Sequence, residues 1–166
     1  MIPVALYLFV LLELSLVSYL DVKYRKIKNA WSLLNIGVAA LLFIFFPDLY
    51  PFKLEMFYFT LVFVFVGFAL FILKIMGGGD SKFLATIFLV MPLEAQDKVF
   101  LYLLLATITI GFVSLSNNIY IQREKLRESV RNKDIQGVKS CFGTKFPYAP
   151  VILFTWVLMG WDLYTK

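Results

Sequence analysis

Gly77-Gly78-Gly79-Asp80-Ser81-Lys82 interrupts a chain that otherwise reads as one apolar helix after another. Glycine in a helix interior costs about 1 kcal/mol relative to alanine, so three in succession predict that the preceding helix stops here. An acid follows at once, beside apolar runs long enough to cross a bilayer. A carboxylate in such surroundings is costly and marks a candidate functional site. Upstream, the apolar run 2–20 ends at a second acid, Asp21.

The 166 residues are 61% hydrophobic and only 16% charged. A soluble domain of this size has too little interior to hide that much apolar surface. Several runs approach the roughly 20 residues needed to cross the hydrocarbon core. The expected fold class is therefore all-α: a polytopic integral membrane protein, with residues 1–166 forming a single membrane-embedded domain. Histidine is absent, which excludes Ser-His and Cys-His nucleophile pairs and zinc sites of the His-Glu-x-x-His type. One cysteine, Cys141, cannot form an internal disulfide or a C-x-x-C pair. The stretch 77–82 lacks the spacing of a phosphate-binding loop. Any catalysis falls to Asp, Glu, Lys, Tyr, Ser or a bound cofactor, and no metal site is expected.

Six membrane helices are expected, at about 2–20, 30–46, 54–76, 81–92, 99–115 and 147–163. No basic residue precedes the first run and no small-residue cleavage site follows it, so it does not read as a secretory signal. Lys23, Arg25, Lys26 and Lys28 come directly after it, which places them in the cytoplasm and the N-terminus outside. Asn29 is a candidate cap for the second helix, and Trp31 a residue for the inner interface. Lys74 reads as snorkelling to the inner surface. Pro92 ends or bends the fourth helix, which at 1.5 Å per residue covers roughly half of a 30 Å core. Glu94, Asp97 and Lys98 mark an outer turn. The polar segment 117–146 is expected to be a cytoplasmic loop carrying Arg123, Lys125, Arg127, Arg131, Lys133, Lys139 and Lys145. It reads either as a solvated loop with a surface helix or as a binder of anionic lipid or a partner. Nucleic acid is not an expected partner, because the basic residues match what topology alone demands. Only Lys53, Lys98 and Lys166 fall outside.

Glu13 lies in the middle of the first run. It reads as an interior acid bonded to a neighbouring helix or as a proton relay. Asp21 ends the first crossing and Asp80 follows the third, so both belong to the cytoplasmic face. Two carboxylates that approach each other there form a candidate aspartic dyad, of which one member stays protonated. The ionised member takes a proton from water and the protonated one polarises a peptide carbonyl. That is peptide hydrolysis without His, Cys or metal, and the glycines let a substrate backbone come close.

Two motifs carry a family resemblance. Asp21-Val22-Lys23-Tyr24-Arg25-Lys26-Ile27-Lys28-Asn29 follows the form D-x-x-x-R-x-I-P-N, with Lys28 where proline is usual. Gly77-Gly78-Gly79-Asp80-Ser81-Lys82 follows G-x-G-D-x-K. Phe146-Pro147-Tyr148-Ala149-Pro150, at the start of the last helix, is also similar. On these residues the chain resembles the type IV prepilin peptidases, membrane aspartic proteases of the GxGD type. The resemblance implies Asp21 and Asp80 as catalytic residues, with Arg25, Asn29, Gly77, Gly78, Gly79 and Lys82 as motif or substrate-contact candidates. It implies the GxGD fold and no cofactor. The implied substrates are prepilins or prepilin-like proteins, cut usually after a glycine at the cytoplasmic membrane face, with membrane lipids as the other partner. Larger relatives add an N-methylating domain with paired C-x-x-C motifs. This chain resembles the short, peptidase-only form of tight-adherence pili or archaeal-type pilins, so no methyltransferase activity is expected. The alternative from another class is a small proton-coupled transporter or channel using Glu13, Asp21 and Asp80.

Overall fold

The computed structural model describes residues 3–72, 76–131 and 147–165. Among them every regular element is a helix: α1 (Val4–Tyr24), α2 (Asn29–Phe45), α3 (Leu54–Ile72), α4 (Gly78–Val90), α5 (Leu93–Ile121), α6 (Arg123–Arg131) and α7 (Ala149–Tyr164). Lys74 and the basic residues Lys133, Lys139 and Lys145 lie outside the described residues, as do Cys141 and Phe146.

α1, α3 and α5 are long and apolar enough to cross a membrane. α2 and α7 are apolar but shorter, at 17 and 16 residues. Large hydrophobic side chains stand exposed on all five, among them Leu12, Leu33, Phe65, Phe112 and Trp161. In water such faces would be a heavy penalty, whereas hydrocarbon removes it. Helices also satisfy their own backbone groups, which lipid requires of any spanning segment.

α4 is different in kind. It has 13 residues, about 20 Å of helix, and it is the most enclosed element. Ser81, Phe83, Leu84, Ala85, Ile87, Phe88 and Val90 are all buried. It packs mainly on α3 and α2, while α7 packs on α1 and α5. A Cβ on Gly67 of α3 would lie 2.8 Å from Ser81 Cβ, so a glycine there lets the two helices close on each other. The Ser81 hydroxyl uses that approach to donate to the Gly67 carbonyl at 3.0 Å. Further along, Phe88 meets Phe63 and Phe59 with ring centroids 4.8 and 5.5 Å apart, and Phe100 of α5 joins Phe59 at 4.9 Å. α7 is held on α1 by Tyr7 stacked on Trp156 at 5.4 Å. Trp156 Nε1 also donates to the Tyr7 carbonyl at 3.1 Å.

Three helix boundaries differ from the sequence expectation. α1 continues to Tyr24, so Asp21 sits in its last turn and not beyond it. α4 begins at Gly78, with Gly77 as its cap. The glycines therefore open a helix, because first-turn N–H groups have no intrahelical partner to lose. α5 runs from Leu93 to Ile121. Glu94, Asp97 and Lys98 belong to its first turns, and the start of the expected loop at 117 is still helix. No Gly or Pro occurs from Phe112 to Val130 to stop it. Pro92 does separate α4 from α5, as its chemistry demands.

Candidate active site

Asp21 points inward from the last turn of α1 and is 2% exposed. The turn closes with Arg25 in the left-handed region, φ 49°, whose N–H bonds the Asp21 carbonyl at 2.7 Å. A non-glycine residue at positive φ is uncommon and here ends the helix sharply. The chain then runs extended through Lys28 with Ile27 buried. Asn29 does not cap α2. It is the first helical residue, Lys28 holds the cap position, and no side chain bonds there.

Ile27 is the link to the glycines. A Cβ placed on Gly79 would collide with the Ile27 carbonyl oxygen. Only glycine lets the two backbones meet in this way. The contact fixes the loop after Asp21 against the residue before Asp80, so both acids lie at one end of the bundle. Asp80 is the third residue of α4 and is half-buried. Its Oδ2 accepts the Gly77 N–H at 3.1 Å. An acid in the first turn also meets the positive end of the helix dipole.

Asp21 is held in a parallel way by another helix. Its Oδ2 accepts the Ala149 N–H at 3.1 Å, and the Tyr148 amide reaches the same carboxylate. Ala149 is the first residue of α7, with Pro150 next. Each acid thus has oxygens fixed by the free N–H groups of a helix start. The positive charge of Arg25 also acts on Asp21.

Lys82 is exposed and lines a cavity of about 360 Å³ between α3 and α4, with Phe68, Phe71, Gly78 and Ser81. Glu13 lies deeper along α1. It is 2% exposed and lies eight residues before Asp21, about 12 Å along α1. With the Asn35 amide turned to face it, the nitrogen donates to both Glu13 oxygens at 2.9 and 3.0 Å. Among the described residues, no group of three or more His, Cys, Asp or Glu side chains is placed to hold a metal ion.

The sequence model of the type IV leader peptidase family matches residues 8–115, which include both acids and the glycine stretch. The chain belongs to the type IV leader peptidase family. No curated protein and no solved structure matches it. Membership and the exposed apolar helices together make it a membrane protein of a peptidase family. α7, whose first amides hold Asp21, lies beyond the matched residues. The amide contact joins positions 128 residues apart, and the only sequence signal for it is the Pro147-Tyr148-Ala149-Pro150 helix start.

Proposed function

We propose that this chain is a membrane aspartic endopeptidase that removes the basic leader from prepilins or prepilin-like proteins. The observation that carries the reading is the seating of Asp21 and Asp80 at one end of the bundle by the Ile27–Gly79 contact. Both carboxylates are oriented by backbone N–H groups, so neither needs a metal to place it. In this reading one carboxylate takes a proton from the attacking water. The other, protonated, polarises the scissile carbonyl and then gives its proton to the leaving amine. In this reading that end faces the cytoplasm and the N-terminus lies outside, which the charge pattern of the loops supports. A prepilin would keep its apolar helix in the bilayer and present the scissile bond at that face.

The transporter alternative needs Glu13 to share a pathway with Asp21. Glu13 instead has its oxygens engaged by Asn35, which fits a tie between α1 and α2. Co-expression with prepilin-like proteins, scoring leader loss on a gel, tests the proposal. Leader loss is expected with the natural chain and not with Asp80→Asn. Cleavage by Asp80→Asn at normal protein level would overturn it.

A further inference from the structure

The amides that hold Asp21 come from a short non-helical approach, Pro147 and Tyr148, whose own placement needs a cause. Tyr148 occupies the cap position of α7 and makes no side-chain capping bond there. Its hydroxyl lies 2.9 Å from Thr107 Oγ1, in the middle of α5. Thr107 has one hydroxyl proton, and its oxygen also lies 2.7 Å from the Leu103 carbonyl. Both hydroxyl protons find an acceptor when Thr107 donates to Leu103 and Tyr148 donates to Thr107.

α5 and α7 pack along each other through apolar side chains, so this bond is not needed to join them. It holds the side chain of Tyr148, a residue whose own amide and the next one reach Asp21. The pair also lines an apolar cavity of about 390 Å³ between α3 and α5, with Gly67, Leu84 and Gly111. In such surroundings a hydrogen bond is stronger than in water.

We propose that Thr107 and Tyr148 are positioning residues for the peptidase reaction: their hydroxyl pair aims the first amides of α7 at Asp21. The inference rests on the aspartic-dyad reading. It places a residue of α5, far in sequence from either motif, in the machinery that orients a catalytic carboxylate.

The test uses the full-length protein in lipid vesicles with a prepilin-like substrate. Thr107→Val removes the acceptor at nearly constant volume, and Tyr148→Phe removes the donor and keeps the ring. Each is expected to lower kcat about 10- to 100-fold, the range for a catalytic group moved by about an ångström. KM should stay within about twofold, because the pair holds Asp21 and not the substrate. The double variant should be no slower than either single one, since both remove the same bond. Thr107→Ser should restore most of the rate. Thermal unfolding of each variant shows whether the loss follows folding. Wild-type kcat in either single variant, or loss only in proportion to lost folded protein, would overturn the inference. Asp80→Asn is run alongside. If it is inactive while Thr107→Val is fully active, only the positioning inference fails. If Asp80→Asn cleaves normally, the dyad reading fails and takes this inference with it.

Discussion

The two ends of α4 solve the same problem with different chemistry. A 13-residue helix buried in the bundle leaves first-turn N–H groups and last-turn carbonyls without helix partners. At the C-terminal end the solution is inert. The Tyr50 hydroxyl donates to the Val90 carbonyl at 2.8 Å. Gln96 Nε2 reaches the Phe88 and Met91 carbonyls at 3.0 and 3.3 Å. Burial pushes the Tyr50 phenol well above its usual range, so it remains a donor. At the N-terminal end the partner is a carboxylate, Asp80, and the glycines bring the Ile27 backbone against the helix. One end is closed by neutral donors, Tyr50 and Gln96. The other carries an acid, at the same end of the bundle as a second acid held by α7. The proposed chemistry is thus confined to one end of a helix that is otherwise core.

That contrast can be broken in graded steps. The largest effect is expected from Asp21→Asn or Asp80→Asn. Each should lower leader cleavage by at least about 10³-fold while the protein stays in the membrane, measured as kcat on purified protein. Next comes Gly79→Ala. Its Cβ meets a backbone carbonyl that has no rotamer to move, so the loop after Asp21 must shift. A loss of about 100-fold in kcat is expected from such a displacement, together with a lower unfolding temperature. Full activity in Gly79→Ala would show that the Ile27 contact does not hold the site together.

The C-terminal end should respond in stability and not in rate. Gln96→Leu leaves the Phe88 and Met91 carbonyls without their side-chain donor, a cost of about 1–3 kcal/mol. The kcat of the folded fraction should be unchanged. A large fall in kcat without loss of stability would erase the distinction between the two ends. The smallest effect is expected for Glu13→Gln, which keeps a carbonyl to accept from Asn35. Cleavage should be retained, with less than about 1 kcal/mol lost in stability.

The same contrast explains what could be read from the sequence. The N-terminal end was legible because it is local: three glycines and an acid stand together, and their conformational chemistry needs no other part of the chain. Pro92 was legible for the same reason. The C-terminal end was not, because Gln96 sits among Glu94, Asp97 and Lys98 and reads as one more polar residue of a turn. Only the folded chain shows it turned inward, 1% exposed, onto α4. The start of α4 at Gly78 was also hidden, since helix propensity describes interiors and these glycines occupy a first turn. The amides on Asp21 and the Asn35 partner of Glu13 come from other helices, and no periodicity within α1 points to them.

The central claim is that Asp21 and Asp80 act as one unit. It is tested most directly by the cleavage rates of Asp21→Asn, Asp80→Asn and the double variant on one prepilin-like substrate, at matched amounts of folded protein. Two acids in one reaction are expected to give single variants about as slow as the double, because losing either stops the proton cycle. Wild-type cleavage by either single variant, or losses in the singles that multiply to give the double, would contradict it.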